Sequence, residues 1–256
     1  MVDSRRSTID SGDYWDKRYA TGRNSGAGSY GRLAKFKAAF LNRFIEANGV
    51  ESVADFGCGD GNQLSLMNVR GYIGVDVSKT VLDQLKTRFA DRPELVFRHT
   101  SELADVAPCE LAMSIDVIYH LVEDDVFTAY IDRLFAFATK FVVIYSDDRE
   151  VPYGGKHVRH RKFSDYVAAS QPDWSLAGHV PNPYPFDPAN KNKTSFADFY
   201  IYARQGEAAV IPPAIVPPAP ARPAPRPPSR SSFAARLVRW VKHGPRRVAS
   251  SLFRHR

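Results

Sequence analysis

The chain has 256 residues, 44% of them apolar and 25% charged, a composition typical of a folded globular protein. It contains no run of about 18 apolar residues, which excludes a membrane-spanning helix, and its first segment lacks the apolar core of a secretory signal. The two cysteines, Cys58 and Cys109, form no disulfide framework or zinc-binding spacing, and we expect reduced thiols in the cytoplasm.

The net charge of +7 is unevenly distributed. Residues 208–256 hold ten of the 35 Lys and Arg residues and none of the 28 Asp and Glu residues, so residues 1–207 hold 25 basic and 28 acidic residues. Composition therefore predicts a mildly acidic body followed by a strongly basic tail. The first part of that tail, 208–230, is rich in Pro and Ala and is expected to be an extended linker.

The body alternates between short apolar segments and helical patterns. In chain order the expected strands are "SVADFG", "YIGVDV", "LVFRH", "ELAMSID" and "FVVIYS", and helical spacing of apolar residues falls on "KTVLDQLKTRFA" and "DDVFTAYIDRLFAFA". This alternation predicts an α/β fold with a parallel sheet and helices on both faces. Two final strands, "WSLAGHV" and "SFADFYIYA", are separated only by a loop and are expected to pair antiparallel at one edge.

A glycine-rich loop follows the first strand in "DFGCGDG", with glycines at 57, 59 and 61. Glycines allow a sharp turn and let a ligand approach bare backbone. The nicotinamide fingerprint GxGxxG places its third glycine five residues after the first, whereas here the distance is four. Asp76 ends the second strand, nineteen residues after Gly57, where a carboxylate can accept hydrogen bonds from ribose hydroxyls. Together these features predict a nucleoside-containing cofactor.

The motifs "VADFGCGDG", "YIGVDVS", "LAMSIDVIYHL" and the leading "YWDKRY" resemble those of class I S-adenosylmethionine-dependent methyltransferases, over residues Tyr14 to Tyr202. Among these, the chain is similar to small-molecule and glycan O-methyltransferases. The resemblance implies a Rossmann-like, doubly wound seven-stranded sheet with a reversed edge strand, and S-adenosylmethionine as cofactor. We expect a leader and lid in 1–30, the methyltransferase domain in 31–207, the linker in 208–230 and a basic amphipathic tail in 231–256.

The resemblance also implies individual cofactor contacts. Gly57 and Gly59 would lie at the amino-acid end with Asp55 and Gly61 in the same loop, Asp76 at the ribose, Val77 and Ser78 at the adenine, and Trp15 and Arg18 over the carboxylate. The family often has an acidic residue after strand three that binds the adenine amine. This chain has "RHTSEL" there, so that contact is left unassigned.

Methyl transfer to a hydroxyl requires an acceptor held in line with the methyl group and a group that removes its proton. "SIDVIYHL" provides Asp116 at the end of the fourth strand and His120 four residues later, on the same face if a helical turn begins there. We take His120 as the candidate base, with Asp116 near the sulfonium or orienting the acceptor. The alternative is a histidine that only hydrogen-bonds this loop.

A metal-assisted arrangement is the alternative chemistry. Asp116 follows strand four and Asp147 and Asp148 follow strand five, so the three carboxylates could face one crevice and bind Mg²⁺. This placement resembles the metal-dependent O-methyltransferases. Acidic loops are also common for solubility, and we favour a site without metal.

The acceptor is expected to contact the region after strand five. There "KHVRHRKF" concentrates Lys, Arg and His, which suits a phosphate or another anion, whereas a solvated basic loop is the alternative. The candidate substrate contacts are Tyr119, His157, Arg159 and Arg161. Aromatic residues in "PNPYPFDP" could form a wall for a sugar ring. Because some chains that this one resembles act in surface-polysaccharide assembly, we expect O-methylation of a sugar or sugar-phosphate of a surface glycan.

Two other functions compete with this interpretation. A nucleic-acid methyltransferase could use the basic tail for phosphate binding. The mildly acidic body and "DVIY" in place of an "NPPY"-type motif disfavour a nucleic-acid partner. A protein of this fold that acts only as a binding partner or regulator is disfavoured by the intact glycine loop with Asp76.

The end of the tail carries an amphipathic pattern. In "SSFAARLVRWVKHG", the apolar residues Phe233, Leu237, Trp240 and Val241 fall on one face of a helix. Basic helices of this composition bind anionic membrane surfaces. We therefore expect a cytoplasmic enzyme held peripherally on the inner membrane face. A disordered basic tail or a nucleic-acid tether is the alternative, and the oligomeric state is left open.

Overall fold

A seven-stranded sheet organises residues 10–151 and 157–216, the part of the chain that the computed structural model describes. The strands are β1 (Ser52–Phe56), β2 (Gly71–Asp76), β3 (Leu95–His99), β4 (Cys109–Ile115), β5 (Ala138–Ser146), β6 (Trp174–Val180) and β7 (Asp198–Arg204). The helices are α1 (Ser11–Ala20), α2 (Gly31–Ala47), α3 (Lys79–Arg88), α4 (Asp124–Ala136) and α5 (Phe163–Ser170).

The strand order is β3-β2-β1-β4-β5-β7-β6. Strands β1 to β5 pair parallel with their neighbours, whereas β7 runs antiparallel to both β5 and β6. The predicted Rossmann-like, doubly wound sheet is confirmed, as is the antiparallel pair at one edge. The reversed strand is β7, second from that edge, and β6 forms the edge itself.

The strand order reverses beside β1, which pairs with β2 on one side and β4 on the other. At its carboxyl end, Phe56 is in register with Val75 of β2 and Ser114 of β4. Ligands of doubly wound sheets bind in the crevice at such a switch point. The glycine loop and the Asp116 motif both leave the sheet at this crevice.

Two apolar clusters cover the two faces of the sheet. Successive strand residues point to opposite faces, so Val53 packs in the cluster under α2 and α3 while Ala54 packs in the cluster under α4 and α5. Both cysteines are buried among apolar side chains, as predicted.

Helix α2 has no counterpart among the helices predicted from sequence. Phe36, Phe40 and Phe44 recur every four residues and are buried on one side of it. Lys37 lies on the same buried side and interrupts this apolar stripe. The helix follows directly after the glycine-rich stretch, and no side chain caps its start at Tyr30.

The compact unit ends at Val216, nine residues beyond the boundary expected from composition. Ala209, Ile211 and Ile215 pack against the cluster under α2 and α3. The side chain of Asn48 bonds to both the N–H and the carbonyl of Val210, at 2.8 and 2.9 Å. The rest of the predicted linker and the predicted amphipathic tail lie outside the described residues. No helix within 10–151 and 157–216 is long and apolar enough to cross a membrane.

Candidate active site

A cavity of about 390 Å³ opens at the carboxyl ends of β1, β2 and β4. Pockets of this size bind small molecules and cofactors. The predicted site residues that line it are Trp15, Asp55, Gly57, Gly59, Asp76, Val77, Asp116 and His120. The predicted residues outside its wall are Arg18, Gly61, Ser78, Tyr119, His157, Arg159, Arg161, Asp147 and Asp148.

The glycine loop forms one wall and leaves no room for side chains. Gly57 and Gly59 have φ angles of 81° and 57°, in the left-handed region that favours glycine. A Cβ at Gly57 would lie 2.4 Å from the Val117 side chain, and one at Gly59 would lie 2.4 Å from Ser25 Oγ. Gly61 faces away, because a Cβ there would lie 2.5 Å from Leu85 of α3. Gly61 therefore packs the loop against α3 and does not line the cavity, so its contact with the cofactor stays a prediction.

Asp76 connects the glycine loop to the start of α3. One carboxylate oxygen accepts the Gly59 N–H and the other accepts the Ser78 N–H, both at 3.0 Å. The side chain is buried, and this burial raises its pKa. Each oxygen keeps a second lone pair, so Asp76 can fix the loop and still accept a hydrogen bond from a ligand in the cavity.

Apolar residues and a threonine line the region expected to receive an adenine. Val77 and Val126 are 42% and 39% exposed and present their side chains to the cavity. Thr100, directly after β3, also lines the cavity. Ser78 is fully buried, with its Oγ accepting from Val81 N–H and donating to Asp16. It caps α3 and does not line the cavity, so its adenine contact stays a prediction.

Helix α1, which carries "YWDKRY", covers the cavity. Asp16 accepts hydrogen bonds from Ser78 Oγ at 2.6 Å and from Thr80 N–H at 3.3 Å, at the start of α3. At its other end, Ser11 donates to the Glu123 carboxylate directly before α4. Helix α1 therefore connects helices that lie on opposite faces of the sheet.

Arg18 does not take part in the cavity wall. Its Nε donates to the Asn24 carbonyl at 2.7 Å and its guanidinium lies 5.6 Å from the Trp15 ring centroid. Its place over the cofactor carboxylate therefore stays a prediction. The hydroxyl-bearing residues Tyr19, Ser25 and Ser29 line this end instead.

The glycine-rich stretch expected to be a lid is bound to the glycine loop. Ser25 N–H donates to the Asp60 carboxylate at 2.7 Å, and Asp60 N–H donates to Ser25 Oγ at 2.9 Å. Tyr30 OH donates to the same carboxylate, and Asn62 donates to the Ser29 carbonyl. Sequence spacing does not reveal this pairing, because the partners lie about 35 residues apart.

Two buried oxygens in the cavity wall accept no hydrogen bond from the described residues. They are Asp55 Oδ1 and Gln63 Oε1. The other oxygen of Asp55 accepts from Tyr72 OH at 2.8 Å, and Gln63 Nε2 donates to the Ala34 carbonyl at 3.2 Å. Burial raises the pKa of Asp55 to about 7. Because both free atoms are acceptors, this end of the cavity is suited to a ligand group with several N–H donors.

His120 presents a neutral imidazole to the cavity. Its Nδ1 lies 3.0 Å from the His157 carbonyl oxygen, which can only accept, so Nδ1 carries the proton and Nε2 keeps a lone pair. Burial lowers the pKa of His120 to about 4. The ring contacts Trp15 edge-on at 5.0 Å and stacks on His157, which in turn stacks on Tyr14. His157 therefore positions His120. It does not line the cavity, where a contact with substrate was expected.

Residues 54–136 match a protein family described as "Methyltransferase domain", and the chain has the fold of class I S-adenosylmethionine-dependent methyltransferases. Residues 54–136 therefore carry the sequence pattern of a methyltransferase domain, within a chain of the same fold. Solved structures with a similar fold include NodS, an N-methyltransferase from Bradyrhizobium japonicum WM9 in complex with S-adenosyl-L-homocysteine, at a TM-score of 0.58 and 10% identity over 77% of this chain and 100% of that chain.

Two further solved structures have a similar fold. The magnesium protoporphyrin IX methyltransferase ChlM from Synechocystis PCC 6803, with bound SAM, aligns at a TM-score of 0.54 and 14% identity, over 78% of this chain and 100% of that chain. The CcbJ methyltransferase from Streptomyces caelestis aligns at a TM-score of 0.55 and 12% identity, over 79% of this chain and 100% of that chain. No curated protein sequence matches the chain significantly. At these identities the likeness is one of fold, and it singles out no acceptor class.

Asp116 lines the cavity in a constrained conformation. Its φ is 63°, in the left-handed region. The carboxylate forms an ion pair with the buried Lys37 and accepts from Tyr119 OH at 2.8 Å. A Cβ at Gly28 would lie 2.8 Å from its Oδ2. Tyr119 thus holds Asp116 from behind the cavity wall, and its contact with substrate stays a prediction.

The alternative magnesium site is contradicted by the partners of its three aspartates. Asp147 accepts from Arg149 Nε at 2.6 Å and pairs with His160, whereas Asp148 accepts from Ser164 N–H and Oγ at the start of α5. Asp116 is occupied by Lys37. Within residues 10–151 and 157–216, no group of three His, Cys, Asp or Glu side chains could hold a metal ion.

The basic cluster after β5 holds the loop before α4 in place through hydrogen bonds and ion pairs. Arg161, 8% exposed, donates to the carbonyls of Leu121 and Val122 and pairs with Asp124. Arg159 pairs with the same carboxylate at 3.0 Å. Both guanidiniums are bound to main-chain oxygens and a carboxylate, and neither lines the cavity, so their contact with substrate stays a prediction. Lys156, in the same stretch, lies outside the described residues.

Proposed function

We propose that the methyltransferase domain transfers a methyl group from S-adenosylmethionine to a hydroxyl of a glycan. The observation that carries this proposal is the position of His120. A neutral imidazole with a free Nε2 lines the same cavity as the glycine loop and Asp76. A hydroxyl acceptor must lose a proton during transfer, and this nitrogen is placed to receive it.

The cavity suits the chemical groups of this cofactor. The two unpartnered acceptors, Asp55 Oδ1 and Gln63 Oε1, match the donors of an amino-acid ammonium group. Asp76 would accept from the ribose hydroxyls, and Val77 and Val126 would flank the adenine. When bound, the cofactor supplies a methyl group that its sulfonium has already activated.

His120 would act on the acceptor while the new bond forms. As the acceptor oxygen bonds to the methyl carbon and the bond from sulfur to carbon breaks, the hydroxyl proton would pass to Nε2. A histidine with a pKa of about 4 is a weak base, so the transfer would occur as the acceptor oxygen loses electron density. General base catalysis of this kind contributes about 10²–10⁴ in rate.

An exposed aromatic surface supports a sugar as the acceptor. Phe186 is 51% exposed and its ring lies 6.0 Å from Phe196, which is 5.0 Å from Tyr119 beside His120. Aromatic faces of this kind provide apolar contact for flat ligand faces such as those of sugar rings. The commitment of Arg159 and Arg161 removes the anchor expected for a phosphate, so we favour a neutral glycan hydroxyl.

Labelled cofactor tests this function directly. The full chain would be incubated with methyl-labelled S-adenosylmethionine and fractionated cell extract, and the labelled product identified by mass spectrometry. We expect label in a carbohydrate fraction as an O-methyl group, lost with the variant His120→Gln. Label in nucleic acid, or N-methylation of a small molecule, would contradict the proposed acceptor.

A nucleic-acid methyltransferase is the second candidate, favoured by the ten Lys and Arg residues and absent acids of residues 208–256. Cation-rich tails bind phosphate backbones with an affinity that falls steeply with salt. Binding of RNA or DNA by the full chain and by a 1–216 truncation would be compared at two salt concentrations. Retention of binding by the truncation would favour this candidate over the glycan.

We also propose that the tail holds the enzyme on an anionic membrane surface. The proposal is supported by the apolar face and basic residues of 231–256 in the sequence. Full chain and the 1–216 truncation would be sedimented with vesicles of anionic and of neutral lipid. We expect only the full chain to sediment with anionic vesicles, and less at high salt. Equal sedimentation of both proteins would contradict a role for the tail.

A further inference from the structure

Lys37 carries a buried charge that the proposed chemistry does not use. Its side chain is 1% exposed on the apolar side of α2, where an ammonium is unfavourable unless it is paired and hydrogen-bonded. It pairs with the Asp116 carboxylate, and its Nζ lies 5.2 Å from the centroid of the Tyr145 ring. Burying this ion pair therefore lowers the stability of the fold relative to an apolar residue at position 37.

Asp116 is held from several sides with its carboxylate at the cavity. It is the only non-glycine residue with a positive φ in 10–151 and 157–216. Lys37 and Tyr119 hold the two carboxylate oxygens, and Gly28 leaves just enough space beside them. Backbone strain of this kind persists where the surroundings impose it and is concentrated at functional sites.

The pair lies next to the glycine loop. Asp116 is followed by Val117, whose side chain fills the space beside Gly57. Asp116 and His120 both line the cavity, whereas Lys37 and Tyr119 do not. A ligand in the cavity would therefore contact the Asp116 carboxylate. The Lys37 ammonium, which balances the charge of that carboxylate, lies behind the cavity wall.

We propose that Lys37 is a positioning residue that neutralises Asp116 and thereby sets how strongly the cavity distinguishes the cationic cofactor from its neutral product. This inference rests on the proposed function. The cofactor carries a positive sulfonium that becomes a neutral thioether on transfer. An unbalanced carboxylate would bind the cation most tightly before the reaction, which does not accelerate the transfer. The Lys37–Asp116 pair carries no net charge and avoids this effect.

The ratio of two dissociation constants measures this role without any acceptor. Calorimetry would give Kd for S-adenosylmethionine and for S-adenosylhomocysteine in the full chain and in three variants, Lys37→Met, Asp116→Asn and both together. Asn is suited to position 116 because it tolerates the left-handed conformation. Lys35→Met, which removes an exposed lysine two residues away on α2, is the matched control.

We expect Lys37→Met to shift the ratio at least about threefold toward S-adenosylmethionine, because the carboxylate is no longer neutralised. Asp116→Asn should shift it by a similar factor toward S-adenosylhomocysteine. The double variant and Lys35→Met should stay within about twofold of the parent ratio. If both single variants weaken the two ligands in parallel, the pair is structural and the inference is overturned.

A second variant and the binding affinities of the parent chain allow the role of Lys37 to be tested in every case. If Lys37→Met does not fold, the sign of the Asp116→Asn shift decides, together with Tyr119→Phe. The latter removes one hydrogen bond from the carboxylate and should shift the ratio slightly toward S-adenosylmethionine. If the parent chain binds neither ligand, the proposed function itself fails. If it binds both and the ratio never moves, only the role of Lys37 is overturned.

Discussion

Ser11 and Glu123, 112 residues apart in sequence, are joined by two hydrogen bonds of 2.9 Å, one from the Ser11 N–H and one from its hydroxyl. They connect the start of α1 to the residue before α4. With Asp16 at the start of α3, they hold α1 across the cavity. These bonds fix α1 over one side of the cavity.

The variant Glu123→Ala should release the first turn of α1. We expect faster amide hydrogen exchange across residues 11–20 and weaker retention of S-adenosylmethionine, because lids of this kind control ligand release. Hydrogen exchange with mass spectrometry measures the first effect and calorimetry the second. Asp125→Ala, an exposed acid on α4, is the control and should change neither. Unchanged exchange in Glu123→Ala would show that α1 does not depend on this contact.

The variant Gly59→Val should abolish cofactor binding. A Cβ at this position would lie 2.4 Å from Ser25 Oγ and 3.1 Å from Tyr19 OH, and φ is 57°. Gly49→Val, with φ of 59° and open space around its Cβ position, carries the same backbone strain without the collision. Calorimetry should show binding lost in the first variant and kept in the second. Equal affinities in both would refute the assignment of this loop.

Cofactor binding should release a proton from Asp55. Burial raises its pKa to about 7, and an ammonium group beside it would favour the charged form. Proton release should be largest between about pH 5 and 7 and vanish above about pH 8, where the carboxyl is already ionised. Calorimetry in buffers of different ionisation enthalpy measures it, and Asp55→Asn should eliminate it.

The same shift fixes a stability trend for the empty domain. Between about pH 4 and 7 the folded carboxyl of Asp55 keeps a proton that the unfolded chain releases. The contribution of Asp55 to the free energy of unfolding should therefore decrease as pH rises through this window. Denaturant melts of the parent chain and of Asp55→Asn would be compared. A parent trend that is identical to that of the variant would contradict the raised pKa.

The variant His120→Gln should lower turnover by about 10²–10⁴ with cofactor affinity nearly unchanged. His179→Gln, which removes an exposed histidine on β6, serves as control. Because burial lowers the pKa of His120 to about 4, parent activity should not fall near pH 6.5 as an ordinary histidine would require. A loss of rate centred at pH 6.5 would mean that His120 is not the base in its desolvated form.

The elements that could be predicted from the sequence are those that depend on short-range residue patterns. The five apolar segments became β1 to β5, and Asp76 reached the cavity because strand ends and glycine turns follow short-range rules. Helix α2 was missed, since Lys37 breaks its apolar stripe and a glycine-rich stretch precedes it. Arg159 and Arg161 were assigned to substrate because their carbonyl partners at Leu121 and Val122 lie about 40 residues away. Tyr19, Ser25 and Gln63 became site residues only through the folding of α1 over the glycine loop.

The two oxygens of Asp55 and Gln63 that lack a hydrogen-bond partner have a consequence for the stability of the protein in a cell. A buried acceptor without a partner costs about 1–3 kcal/mol, so a ligand that donates to both oxygens would stabilise the fold. Ligand binding adds stability that grows with the ratio of free concentration to Kd. Chains made when the methyl donor is scarce would unfold and be degraded sooner. The amount of this protein would then follow the supply of its cofactor, without a separate regulator.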